Sequence, residues 1–174
     1  MISKKIISMK TTAFFTRMLS WLTGSRLTVD NSVVRTLDLD RFLGSWYEVA
    51  RFDHFIERGM SQTKANYVVR DDGNIDVINT GIKDGRPKTA KGKAKQTSTP
   101  ALLRVSFFGP FYSDYRVMLV DADYRYMLIG SGSDGYLWIL SRTPRLTDSV
   151  RAAILSEATR RGYDTDKLIW VKQN

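Results

Sequence analysis

From residue 37 onward apolar and polar residues alternate in short runs, each closed by turn residues, and a period of two predicts strands. The runs fall at 46–54, 62–70, 75–83, 88–95, 102–108, 114–121, 124–131 and 136–141. "RDDGN" at 70–74 and "SGSDG" at 131–135 supply Asp-Gly turn chemistry between consecutive runs, and "DAD" at 121–123 makes another tight connection. Eight strands at this spacing predict an all-β barrel or sandwich. The exception follows Pro144, where "LTDSVRAAILSEATRRG" places Val150, Ile154 and Ala158 on one face, with Asp148 near its start and Arg160, Arg161 and Gly162 at its end. Acid first, base last and glycine after is the signature of a helix with well-marked ends. A last extended run, "KLIWVKQ", follows it.

The first residues follow a different period. Residues 2–23 read "ISKKIISMKTTAFFTRMLSWLT", and a helical projection gathers Ile7, Phe14, Phe15, Met18, Leu19, Trp21 and Leu22 on one broad face, flanked by Lys10 and Arg17. This is the layout of a helix lying in a membrane surface, or of one packed on the domain or on a partner chain. Lys10 and Arg17 interrupt the apolar run, which fits a cleaved secretory leader or a membrane-spanning helix less well. Residues 24–36 lack helical period and read as a linker. The expected division is residues 1–36 as a basic amphipathic segment with its linker, and residues 37–174 as one domain.

Parity along the strands predicts what faces inward. An eight-stranded barrel is wide enough to hold one small ligand, and inward positions alternate with outward ones. In "KGKAKQ" the lysines Lys91, Lys93 and Lys95 share the outer face, leaving Gly92 and Ala94 inside; either a cavity or bulky neighbours fill the space beside them. Arg104 and Ser106 outside imply Leu103, Val105 and Phe107 inside, and Arg116 outside implies Tyr115, Val117 and Leu119 inside. Tyr136, Trp138, Leu140 and Arg142 share one face, and a tryptophan ring is a good partner for the arginine at the end of that inward row. Glu48 falls on the face of Trp46, where a structural ion pair or hydrogen bond is the expected fate of its carboxylate.

Charge and composition narrow the chemistry. The chain carries +9, of which +5 falls in residues 1–35, so the amphipathic segment is also the most basic part, suited to an anionic surface. There is no cysteine, which removes disulfides, thiolate metal sites and a cysteine nucleophile. The single histidine, His54, sits beside Asp53 and is expected to be a surface or loop residue rather than a catalytic one. No metal site, cofactor or nucleic-acid module is expected, and the lysine stripe on 88–95 reads as a solvated strand face.

"GSWYE" at 44–48, "LVDADY" at 119–124 and "ILSRTP" at 139–144 resemble, in order, the three signature regions of the lipocalin family. "YEVARFDHFIERG", "RDDGNIDVINTG", "VSFFGPFY" and "YLWILSRTP" resemble more narrowly the bacterial outer-membrane lipoprotein lipocalins, relatives of apolipoprotein D. The resemblance implies an eight-stranded antiparallel up-and-down barrel with one helix packed outside, closed at one end by stacked Trp46 and Arg142, with Gly44 completing the signature. It further implies that Tyr67, Asn79 and Trp138 line a ligand cavity. Added to these, the predicted liners are Val105, Phe107, Tyr115, Val117 and Tyr126. Those bacterial relatives are anchored through a lipidated cysteine that is missing here, which leaves the periplasm, or reversible attachment to a membrane through residues 4–23.

The expected function is non-enzymatic binding, storage or transport of a small hydrophobic ligand, a fatty acid or lysophospholipid, in the bacterial cell envelope. An enzyme acting on a lipid or isoprenoid in the same cavity, or a membrane-surface or protein-interaction module, are the alternatives. The sequence leaves the compartment, the ligand and the oligomeric state open.

Overall fold

Among the described residues, nine strands form one antiparallel sheet that closes on itself: β1 (Gly44–Phe52), β2 (Met60–Val69), β3 (Ile75–Lys83), β4 (Arg86–Gln96), β5 (Leu102–Phe108), β6 (Phe111–Val120), β7 (Tyr126–Gly130), β8 (Leu137–Ser141) and β9 (Leu168–Trp170). The computed structural model describes residues 28–173, so the amphipathic segment expected at 2–23 lies outside the described residues. Consecutive strands from β1 to β8 are neighbours, and β1 also pairs with β8, giving a closed eight-stranded barrel with β9 added along β1. Each of the eight expected runs is a strand. The seventh starts two residues later than its pattern, because Tyr124 takes φ 55° in the turn and its amide donates to the Asp121 carbonyl at 2.8 Å.

Among the described residues two α-helices accompany the barrel. The single turn α1 (Leu39–Phe42) is capped by Asp38, whose side chain accepts from the Arg41 amide. The longer α2 (Asp148–Arg160) is capped by Thr147, carries Asp148 in its first turn and Arg160 in its last, and is followed by Gly162 at φ 91°. It buries Ile154 and Ala158.

The apolar residues separate into two layers. One fills the barrel: Phe42, Trp46, Ala65, Tyr67, Val77, Leu103, Val117, Ile129 and Leu140 among others. The second lies between the outer face and α2, where Val49, Phe52, Met118, Leu128, Ile139, Ile154 and Tyr163 meet. Strands β7 and β8 are thus covered on both faces, and "MLIG" and "LWIL" read as continuous apolar runs for that reason.

Register shifts interrupt four of the strand pairings, and two of them decide which side chains face inward. The register of β1 against β8 slips between Glu48 and Ala50, a β-bulge that turns both Val49 and Ala50 toward α2 and brings Arg51 inside with Glu48. A similar slip between Val117 and Leu119 in β6 puts Leu119 against the outer layer, correcting its expected inward position.

The seam of the barrel is stitched rather than simply laddered. Only Gly44–Tyr47 of β1 pair with β2; above this the two strands part and the segment around β9 enters between them. Val171 donates its amide to Val49, Gln62 donates to Lys172, and the buried Gln173 side chain donates to both the Glu48 and Thr63 carbonyls. Residues 28–36 form a strap that runs from the outer layer, where Val29 packs, to the inner one, where Val33 and Val34 pack: Thr28 Oγ1 donates to Asp134, Asn31 to the Ser131 carbonyl, and the Val34 amide to the Val117 carbonyl. Arg161 fastens it, donating to the carbonyls of Asp30, Ser32 and Met118 and pairing with Glu157 at 2.7 Å.

Candidate functional site

The closed end of the barrel is a stack of aromatic rings under a guanidinium. Trp46 is fully buried and donates its indole N–H to the Phe42 carbonyl at 2.8 Å. The Arg142 guanidinium lies 3.7 Å from the centroid of its ring and donates to the carbonyls of Arg41, Leu43 and Ser45 at 2.6, 2.8 and 2.8 Å. These carbonyls terminate α1 and enter β1, so one side chain satisfies acceptors that would otherwise have no helical partner. Gly44 occupies φ 88°, a conformation that disfavours any side chain, with Arg142 directly above it. Above this plug Tyr67 and Tyr115 join hydroxyls at 2.8 Å, and Phe42 packs 4.7 Å from the Tyr67 ring. Burial raises the pKa of both phenols, so each stays neutral.

Higher in the barrel the lining turns polar. Arg51 is 1% exposed and faces Trp138 directly across β8, while Glu48 faces Leu140. Arg51 Nη1 donates to Glu48 Oε1 at 2.6 Å, and Thr63 donates to the same oxygen at 3.2 Å. Arg51 Nη2 reaches the β1–β2 loop, donating to the carbonyls of Glu57 and Met60 at 2.7 and 3.1 Å. That loop folds the Glu57 side chain inward, where Oε2 accepts from Trp138 Nε1 at 3.2 Å, lies 2.6 Å from His54 Nε2 and stands 4.0 Å from Arg51 Nε. The His54 approach is short but poorly directed, and both imidazole nitrogens are buried without a well-formed hydrogen bond, as is Arg51 Nε. His54 packs on the rings of Tyr136 and Trp138 at 5.5 and 5.6 Å, and those two rings stack on each other.

Two carboxylates thus share one guanidinium in a buried site, and they divide its charge unequally. Burial raises Glu48, repulsion from Glu57 adds to it, and the attraction of Arg51 offsets only part, leaving Glu48 with a pKa of about 8. Burial also opposes ionisation of Glu57, but the His54 contact, the Trp138 N–H and Arg51 outweigh it and hold its carboxyl below the usual range. At neutral pH the net assignment is a protonated Glu48 and an ionised Glu57.

A family model described as a lipocalin-like domain matches residues 37–173. The chain belongs to the lipocalin family. This lipocalin is 50% identical over 146 residues to outer membrane lipoprotein Blc of Citrobacter freundii, covering 82% of each chain. It is 43% identical over 168 residues to the protein of that name from Vibrio cholerae, covering 92% of this chain and 98% of the relative. Among solved structures, insecticyanin from the tobacco hornworm superposes with a TM-score of 0.68 at 19% identity over 87% of each chain, a likeness of fold alone.

Within the lipocalin barrel, Tyr67, Tyr115, Val105, Phe107, Val117 and Trp138 all belong to the inner layer. Phe107 lies over Gly92, where an added Cβ would stand 2.8 Å from its ring, so here a bulky neighbour occupies the space beside the small residue. Asn79 is held between Ala65 and Ala90 across the sheet, in phase with Val77, and its buried Oδ1 has no hydrogen-bond partner among the described residues. Tyr126 is placed differently from its expectation. Met127 and Ile129 take the inner positions of β7, leaving Tyr126 on the outer layer toward α2. A strand covered on both faces carries no polar residue to mark its phase, which is why the pattern misassigns it.

Arg51, His54 and Glu57 are the functional candidates that alternation does not find. Strict parity sends Arg51 outward, and only the bulge at Val49–Ala50 reverses it. His54 was expected at the surface or in a loop; it is a loop residue, but its side chain is only 11% exposed inside the barrel mouth. The one available signal is "DHFIERG" itself, four ionisable residues in a loop that also carries Phe55 and Ile56. Among the described residues no group of three or more His, Cys, Asp or Glu side chains is placed to hold a metal ion, and no helix is long and apolar enough to cross a membrane.

Proposed function

We propose that this lipocalin binds and carries a single-chain lipid, a fatty acid or lysophospholipid, in the bacterial cell envelope, without catalysing a reaction on it. The observation that carries this reading is the inner face of the barrel, largely apolar and aromatic, with polar groups at the joined Tyr67 and Tyr115 hydroxyls, at Asn79 and around Trp138. An acyl chain removed from water gains about 0.8 kcal/mol per methylene, so such a lining holds a long chain without covalent chemistry. The buried polar groups Asn79 Oδ1, Arg51 Nε and the His54 nitrogens supply places for a head group. The envelope location rests on the names of the bacterial relatives, which are outer membrane lipoproteins. Residues 4–23 would add reversible contact with an anionic membrane surface.

Native mass spectrometry of the purified protein should retain a co-purified lipid, and a delipidated sample should show saturable quenching of Trp138 on titration with fatty acids or lysophospholipids. A Trp138→Phe variant identifies that residue's share of the signal. Saturable binding of neither lipid class would overturn the carrier reading.

A further inference from the structure

We propose that Arg51, His54 and Trp138 form a carboxylate-binding subsite for the head group of a fatty acid, and that the protein's own Glu57 side chain occupies it until the ligand arrives. The inference rests on the carrier reading and adds to it the identity of the head-group site and the competitor that guards it.

The first support is that a carboxylate already lies there. Glu57 Oε2 is the common neighbour of Trp138 Nε1, His54 Nε2 and Arg51 Nε, three groups contributed by β8, the β1–β2 loop and β1. Three converging nitrogens around one anionic oxygen constitute a site for an anion, whichever molecule brings it.

The second is that Glu57 fits this place badly. Its tether, the loop backbone, is pinned by Arg51 Nη2 through the Glu57 and Met60 carbonyls. From this tether the carboxylate does not serve all three groups: it stands 4.0 Å from Arg51 Nε and meets His54 off the line of its N–H. Buried donors left in this way cost free energy, and a free carboxylate can adjust to satisfy them. The exchange also preserves charge. One ionised carboxylate leaves and one enters, so Arg51 stays compensated and Glu48 keeps its proton.

The third is the occupant's place at the mouth: the Glu57 side chain is 14% exposed, so one edge of it already meets solvent while the loop backbone stays held by Arg51. The acyl chain would then run along Trp138, Ile129 and Val117, register partners across β8, β7 and β6; Ile129 and Val117 are fully buried, so the entering chain parts the inner packing to lie beside them.

The test is a comparison of dodecanoic acid with dodecan-1-ol, the same chain without charge, on delipidated full-length protein by native mass spectrometry at pH 7. Self-occupancy lowers apparent affinity by the fraction of time the site is filled, so Glu57→Gln should tighten the acid by about tenfold and leave the alcohol within about twofold. Trp138→Phe, which keeps an aromatic ring but removes the N–H, should weaken the acid and leave the alcohol nearly unchanged. A Glu57→Gln variant in which acid and alcohol shift together, or neither shifts, overturns the subsite and leaves the carrier reading standing. Binding of neither ligand by the natural protein or either variant overturns the carrier reading and the subsite with it.

Discussion

Glu48 touches a guanidinium at 2.6 Å and still keeps its proton to a pH of about 8, because burial disfavours its charged form and repulsion from Glu57 adds to this, and Arg51 offsets only part. A carboxyl raised in the folded state favours folding most at a pH below its unfolded value of 4.5, and that contribution is lost as the pH climbs to about 8. The urea midpoint of the natural protein should therefore fall across this window, and Glu48→Gln should flatten the fall. A midpoint with the same slope in both proteins would show that Arg51 neutralises Glu48 fully. Glu57 acts in the opposite sense: its lowered carboxyl stabilises above the ordinary value and the contribution is lost as the pH drops. Glu48 was legible in the sequence because alternation sets it on the face of Trp46, and the pairing of Trp46 with Arg142 because both lie in signature regions that resemble the family's. Arg51 and Glu57 were not, since one depends on an extra residue in its strand and the other on a loop whose path no periodicity encodes.

At the scale of elements, Arg161 ties together α2, the strap of residues 28–36 and β6. Its guanidinium serves three carbonyls on two of them and one carboxylate on the helix, and is only 9% exposed. Removing it strands those acceptors, so Arg161→Ala should cost about 2 kcal/mol in urea unfolding. Proteolysis within residues 28–36 should quicken in the same variant; an unchanged midpoint and cleavage rate would mean that the Asp30 and Val34 backbone bonds hold the strap alone. The helix itself was readable because its ends carry independent marks, Asp148 near its start and Arg160, Arg161 and Gly162 at its end. The strap was not, because it makes irregular hydrogen bonds to the barrel and has no period of its own. Strand positions were legible to within three residues at either end, but strand phase was less so wherever α2 covers the outer face, and Tyr126 and Leu119 show the result.

For the molecule as a whole, the barrel closes between the beginning and the end of the domain. Arg142 reaches back 97 residues to the Ser45 carbonyl, and Gln173 reaches back 125 to Glu48. Trp46 sits at this junction, so Trp46→Ala should lower stability by about 3–5 kcal/mol while leaving the order of preference among lipids unchanged in the molecules that remain folded. Selective loss of lipid binding at full stability would instead place the tryptophan in the ligand's path. The same long reach has a consequence during synthesis. At ribosomal rates of about 5–20 residues per second, roughly 5–20 s pass between the appearance of Ser45 and that of Arg142. Throughout that interval the first strand has an edge that its own chain cannot yet cover, and the newborn protein depends on whatever shelters unfinished chains.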